Sequence, residues 1–372
     1  MLWEILDTDL RDASSQSLAT LLRPESGITR HIRSLNVHRS ARGWEGQKRL
    51  RLLLKAIPRD RLWEFSSYDS MDRSTVQLLL RTQHKIRNLS TFSLRNKPGP
   101  QHHAWMRSTL ADLVSVTLAT TTRKVYKERI LRFIESVSDL CPRIEELELT
   151  SWICDWDEET SLCAILGHPK ERTLFANLTK LRLYDQKLAT AGDETIGNIL
   201  DLSKLRSLTI DDCDDLIPFI QGLSLYYTNS GGDLEELRIG LLVRLEEPGR
   251  RLEDPRRSVV AIEELLEVCP KLRVLRLALA SDALVAKDYI VAHSQTLYSL
   301  TIGIGRSELC RHYSPAEMSA LLHACSKLKW LALDMPIVRL EPVPEPGLSL
   351  FLDGEFADVL VSFRPLRRRC SR

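Results

Sequence analysis

The chain restates one short phrase many times. In its cleanest form, Cys141 to Thr150, the run CPRIEELELT sets Ile144, Leu147 and Leu149 at L-x-x-L-x-L spacing. The last two apolar residues alternate with polar ones, which is the period of a half-buried strand. The phrase returns as LTKLRLYD from Leu178, LRSLTIDD from Leu205, LEELRIGL from Leu234, CPKLRVLRLAL from Cys269, LYSLTIGI from Leu297 and CSKLKWLALDM from Cys325. A strand that recurs in this way cannot bury its apolar side alone and must stack on copies of itself.

Earlier copies are less regular. HIRSLNVH supplies Ile32, Leu35 and Val37, LWEFSSYD from Leu62 keeps two of the three apolar positions, LSTFSLRN supplies Leu89, Phe92 and Leu94, and LVSVTLAT starts at Leu113. About eleven units follow from Ile32, with a mean period of roughly 30 residues. The segments between phrases read as helices. Leu50, Leu53, Leu54 and Ile57 share a face over residues 44–57, a second helix lies around Val76 to Leu80, and Ile130, Phe133, Ile134 and Val137 form the stripe of a third over 125–140, which Pro142 ends. Strand, helix, strand is therefore the unit. The expected fold is an α/β leucine-rich-repeat solenoid, a horseshoe with a concave parallel sheet and helices on its convex side.

Residues 1–30 are expected to cap the array. They hold an amphipathic opening, LWEILDTDL, then a short helix with Leu18, Leu21 and Leu22, stopped between Pro24 and Gly27. Residues 31–335 form the solenoid. Residues 336–363 supply a Pro-rich segment and a C-terminal cap, and 364–372 a basic tail. The insert EEPGRRLEDPRRS, ahead of a helix over Val259 to Val268, reads as a mobile surface loop.

Of the 372 residues, 43% are hydrophobic and 27% charged, and the formal net charge is only +2. That balance hides a segregation. Residues 1–135 carry about 24 Lys and Arg against about 13 Asp and Glu, whereas residues 136–235 carry about 8 against about 19. Basic side chains are scattered over amphipathic helices, so a solvated face is favoured over a nucleic-acid surface. The cysteines, at 141, 154, 163, 213, 269, 310, 325 and 370, form no CxxC pair. Cys141, Cys269 and Cys325 stand three residues before the first repeat leucine, the place of buried, reduced thiols in an intracellular protein. No secretory leader and no apolar run near 18 residues is present, so a cytoplasmic or nuclear location is expected.

Catalytic spacings were sought in turn. No G-x-x-x-x-G-K-[ST], G-x-S-x-G or H-E-x-x-H occurs. Asp155, Asp157, Glu158 and Glu159 begin like a calcium loop, but Thr160 stands in place of its glycine and Leu166 in place of its last ligand. Asp211, Asp212, Asp214 and Asp215 fit a strand end followed by a helix cap better than a cation site. His102 and His103 are adjacent and have no cysteine near them; Cys310 and His312 have no second half. Neither a catalytic group, a metal, a cofactor nor a small-molecule substrate is expected.

Binding chemistry then falls to the strand residues that alternate with the leucines and face the concave side. In the block from 146 these are Glu146, Glu148 and Thr150, then Lys180, Arg182 and Tyr184. Thr91, Ser93 and Arg95 hold those places earlier, and Asp211, Arg238, Arg276 and Trp330 later. Charged groups of both signs with two aromatics suit a protein partner, and Glu146, Glu148, Lys180, Arg182, Tyr184, Asp211, Arg238, Arg276 and Trp330 are the candidate contacts.

The repeats, the Cys-Pro-x-Leu junctions and the opening DLRDASSQSLATLLRPESGITRHIRSLNV resemble the fungal F-box and leucine-rich-repeat proteins. That resemblance implies a non-enzymatic substrate-recognition or adaptor protein related to the F-box subunits of cullin (SCF-type) ubiquitin ligases, in which an F-box docks on a Skp-type adaptor and the repeats select substrates. Only about 30 residues precede the first clear repeat, without an LP-x-E-I-like start, so the expectation is either that the F-box is absent or that the chain begins downstream of it. The alternative is a stand-alone repeat scaffold or inhibitor that binds another protein without ubiquitin chemistry.

Overall fold

The computed structural model describes residues 4–10, 15–23, 25, 27–39, 44–67, 71–91, 110–120, 138–139, 141–151, 162, 175–188, 200–240, 254–279, 284–304 and 313–333. Two compact units divide the chain, one of Met1–Gln186 with Asn198–Asp201, the other of Lys187–Gly197 with Leu202–Arg372. In the first, strands β1 (Ile5–Asp9), β2 (Ser34–Arg39), β3 (Glu64–Ser67), β4 (Asn88–Thr91), β5 (Ser115–Thr120), β6 (Glu146–Ser151) and β7 (Lys180–Tyr184) pair in parallel, each with the next in sequence. The second pairs β8 (Ser207–Asp211), β9 (Glu236–Gly240), β10 (Val274–Leu279), β11 (Ser299–Ile304) and β12 (Trp330–Leu333) in the same manner. One parallel strand per turn in chain order is the α/β leucine-rich-repeat solenoid that the phrase demands.

Register follows the leucines. Leu35, Phe65, Leu89, Val116, Leu147 and Leu181 are successive partners in the first unit. Leu208, Leu237, Leu275, Leu300 and Leu331 are partners in the second. Each turn is tied to its neighbour by one carbonyl that accepts two successive N–H groups. Arg33 O accepts from Trp63 N at 2.8 Å and Glu64 N at 3.2 Å, and Glu145 O accepts from Thr179 N at 2.8 Å and Lys180 N at 2.9 Å. Repeating that bond sets the pitch, and a slip of one residue would turn every leucine to water.

The core lies between the leucine side of each sheet and the helices. Ile144, Leu147 and Leu149 are buried, as are their counterparts Leu205, Leu208 and Ile210. Truncating one such leucine to alanine costs about 2–5 kcal/mol. Seven helices accompany the strands among the described residues: α1 (Ser15–Leu22), α2 (Trp44–Ala56), α3 (Arg73–Thr82), α4 (Leu216–Ser230), α5 (Pro255–Glu267), α6 (Lys287–Val291) and α7 (Pro315–Ala324). Helix α2 buries Leu50, Leu53 and Leu54, the stripe read from the sequence. Asp72 caps α3 by accepting from Thr75 N at 2.7 Å. A capping box starts α7, with Ser314 Oγ accepting from Glu317 N and Glu317 accepting from Ser314 N.

Cys141, Cys269 and Cys325 are buried free thiols at the foot of each turn, and Ile144 N donates to Cys141 O at 3.2 Å as Leu328 N does to Cys325 O at 3.0 Å. Phe175 and Leu202 make the same bond to Leu178 and Leu205 in other turns, so the place is a general apolar one in which cysteine serves as a small hydrophobe.

Three details depart from the sequence reading. The opening LWEILDTDL contains strand β1, paired in parallel with β2 ahead of the first recognised phrase. The β4 phrase starts at Ile86 and not at Leu89. Register sets Leu89 against Phe65 and Val116, which makes Leu89 the second apolar residue and puts Asn88 and Ser90, not Thr91, at the alternating positions; Ser93 and Arg95 lie outside the described residues. Apolar residues three apart allow two frames that share Leu89, and the pitch bonds of Arg87 and Asn88 to Trp63 O select one. Finally, part of the charged insert is helix: Asp254 accepts from Arg256 N at 3.0 Å and Pro255 opens α5, since a proline lacks the N–H that the first helical turn leaves unused. All of the helix expected over 125–140 except residues 138–139, which are helical, the rest of the insert at 246–253, the acidic string 155–159, His102, His103, and the cap and tail over 336–372 lie outside the described residues.

Candidate functional site

In the first unit, the polar positions of β6 and β7 face each other in register: Glu146 with Lys180, Glu148 with Arg182, Thr150 with Tyr184. Their charges are already engaged. Lys180 Nζ lies 2.5 Å from Glu146 Oε1 and an Arg182 guanidinium nitrogen 3.4 Å from Glu148 Oε2. The four side chains are a quarter to under a half exposed, so the pairs present an acidic stripe on β6 ion-paired to a basic stripe on β7 and not a free patch of either sign. Toward the N-terminal end of the same sheet, His38 Nε2 on β2 lies against Asp7 Oδ1 on β1.

In the second unit, β8, β9 and β10 bring Asp211, Arg238 and Arg276 together. Arg238 and Arg276 are direct partners, a like-charge juxtaposition that needs nearby carboxylates. Glu236 supplies one, with Oε2 at 3.4 Å from Arg238 and 3.2 Å from Ser207 Oγ. Asp211 supplies the other. Burial pushes its carboxyl up, Arg276 opposes that shift, and Asp212 adds to it. Asp211 is partnered by Gly240, where a Cβ would stand 2.1 Å from its Oδ1, so the glycine leaves the room in which the carboxylate lies. Asp212 N donates to Gly240 O at 2.7 Å, and both Asp212 and Asp215 take the left-handed backbone region that aspartate tolerates in turns. Asp215 occupies the N-cap position of α4 without a side-chain capping bond. Among the described residues no three metal-ligating side chains converge.

Trp330 belongs to a different cluster. Its Nε1 donates to Tyr298 Oη at 3.0 Å, which ties the half-exposed indole to the segment that enters β11. That segment is the surface the sequence reading passed over. One residue after the first apolar residue of each phrase, the chain places Arg33, Trp63, Arg87, Val114, Glu145 and Thr179 in the first unit and Arg206, Glu235, Arg273, Tyr298 and Lys329 in the second. These residues carry the pitch bonds, so their side chains stack turn upon turn. The Arg33 guanidinium sits 4.5 Å and that of Arg87 5.9 Å from the centre of the exposed Trp63 ring. Glu235 lies 3.7 Å from Arg206 and 3.4 Å from Arg273, and Lys329 stands 5.3 Å from the Tyr298 ring centre. Aligning the phrases column by column would have exposed this row, because its members, Val114 and Thr179 apart, are aromatic or charged at a place where strand alternation makes no demand.

The buried thiols offer no nucleophile: desolvation pushes Cys141 and Cys269 up to about 12 and Cys325 to about 11. His293, also buried, is pushed down by desolvation, which the Leu266 backbone opposes. No helix among the described residues is long and apolar enough to cross a membrane.

No protein-family model and no curated protein sequence matches the chain. Among solved structures it is similar to the leucine-rich-repeat-containing protein LegL7 from Legionella pneumophila, with a TM-score of 0.42 and 12% identity over 88% of this chain and 90% of that one. The repeat architecture stands on the strand register of this chain, not on that likeness.

Proposed function

We propose that the chain is a non-enzymatic protein-interaction module that binds a protein partner on the polar face of its sheet. The observation that carries this reading is the register of β6 and β7, which holds Glu146 and Glu148 as an acidic stripe against the basic stripe of Lys180 and Arg182, beside Tyr184. Preset charge on a broad strand surface discriminates among partners by pattern. The finer reading, a substrate-recognition or adaptor subunit of a cullin ubiquitin ligase, rests on the sequence resemblance. A cytoplasmic or nuclear location belongs to the same reading.

The second reading is the stand-alone scaffold or inhibitor. Among the described residues of the N-terminal region, residues 5–9 are a strand of the sheet, Ser15–Leu22 is α1 and Ile28–Arg30 is a 3-10 turn.

The test uses a charge exchange. Glu146→Lys with Lys180→Glu and Glu148→Lys with Arg182→Glu keep the cross-strand attraction but invert the pattern a partner meets. Proximity labelling with wild type and exchanged chain should show the loss of specific partners. Unchanged partners in a folded exchange variant would sink the sheet-face reading. Co-purification of a Skp-type adaptor supports ligase membership, and its absence from complexes that retain the substrate partner removes it.

A further inference from the structure

The second unit carries an open groove of about 680 Å³ where the chain enters β10, β11 and β12, lined by Lys271, Arg273, Tyr298, Lys327, Lys329 and their neighbours. Its charge is lopsided. Asp233 holds Lys271 at 2.6 Å, while the single carboxylate of Glu235 is shared by Arg206 and Arg273. Lys327 and Lys329 are exposed and take part in no ion pair among the described residues. Five cations thus stand against two carboxylates on one short edge. The floor is not basic: the turn between the two cationic ones presents Thr296 and Tyr298, the latter fixed by the Trp330 indole, above buried Leu328.

We propose that this groove binds an extended acidic peptide segment. Adjacent strands are about 4.8 Å apart, so the cationic turns that lead into β10 and β12 lie about 10 Å apart, the reach of three residues of extended chain. Acidic side chains two or three residues apart then meet Arg273 and Lys329, with an aromatic or apolar residue between them on Tyr298. The same site suits nucleic acid poorly. Asp233 and Glu235 can accept hydrogen bonds from the N–H groups of a peptide, donors that a phosphodiester backbone lacks, and exposed Gln295 and Ser326 serve the remaining backbone groups. The groove is separate from the sheet face, so the proposal stands or falls independently of the function proposed above.

Fluorescence anisotropy on the full chain tests it, with a dye-labelled peptide of glutamates flanking one phenylalanine, its glutamine counterpart, and a single-stranded oligonucleotide of equal charge. The glutamate peptide is expected to bind, the glutamine peptide to bind roughly tenfold more weakly, and Lys327→Glu with Lys329→Glu to cost about tenfold in affinity. Lys327→Gln with Lys329→Gln should fall between. Lys48→Glu, on the exposed side of α2, should change affinity less than about twofold, and the Glu146/Lys180 exchange should leave it intact. Equal binding of the glutamine peptide, unchanged affinity in the lysine variants, or an equal loss in Lys48→Glu overturns the site. Tighter binding of the oligonucleotide overturns its assignment to peptide.

Discussion

Gln83 is fully buried beyond the end of α3, and it braces the turn that leads into β3. Its Oε1 accepts from Arg61 N and Leu62 N, both at 3.0 Å, and its Nε2 donates to Pro58 O at 3.0 Å. Gln83→Leu keeps the volume and removes all three bonds. The Leu62 amide is then a buried orphan, at a cost of about 2 kcal/mol, whereas Arg61 N and Pro58 O lie near enough to the surface to recover water and lose about 0.5 kcal/mol each. The apolar gain of leucine offsets roughly 1 kcal/mol of this, for a net destabilisation of about 2 kcal/mol. Because stacked repeats depend on their neighbours, the loss should appear at β2, β3 and β4 before it reaches distant strands. Native-state hydrogen exchange is the direct assay, with urea unfolding as its companion. The amides of Arg61 and Leu62 should exchange at least tenfold faster in the variant, about 1.4 kcal/mol of lost protection. Wild-type protection at both amides would show that the turn holds its shape without the glutamine, and would refute the reasoning.

A double-mutant cycle on Glu146→Gln and Lys180→Gln should give a coupling of about 0.3–1 kcal/mol at low salt that shrinks as salt is raised, since both groups are partly solvated; zero coupling at low salt would mean the charges are free for a partner. Asp60, in a left-handed conformation, accepts from His84 N at 2.7 Å, and that backbone bond, with the contact to the His84 ring, holds its carboxyl below the usual range. A depressed folded value stabilises above the unfolded value of about 3.9 and is lost as pH falls through the folded one, so Asp60→Asn should be destabilising at pH 7 and nearly neutral in strong acid. Equal differences in urea midpoint at both pH values would contradict this. Cys141, Cys269 and Cys325 should resist iodoacetamide at pH 8 in the folded chain and react after urea unfolding, and peptide mass spectrometry that finds them alkylated without denaturant would show the turns to be open.

What could be read without a structure depended on distance along the chain. The strands at Glu146, Lys180, Ser207, Glu236, Val274, Ser299 and Trp330 were legible because each phrase carries its own alternation, and alternation fixes which side chains are buried. The helix at Trp44 was legible for the same local reason. The β4 frame was not, because Ile86, Leu89 and Phe92 are equally spaced and only bonds to Trp63 decide among them. The start of α5 was obscured by its charge, although Asp254 and Pro255 are an ordinary cap and first residue.

The candidate surface divides along the same line. Sequence by itself determined that Glu146, Glu148, Lys180, Arg182, Asp211, Arg238 and Arg276 stand on the polar side of their strands, since a period of two leaves no other choice. Only the tertiary structure decided which of them meet. Glu146 and Lys180 are 34 positions apart, and they pair because the bonds of Thr179 and Lys180 to Glu145 O set one turn on the last. It also set the Trp330 indole against Tyr298, and it assembled Lys271, Arg273, Lys327 and Lys329 along one edge. Alternation is a property of a single strand, whereas adjacency between turns is created by the pitch at which they stack.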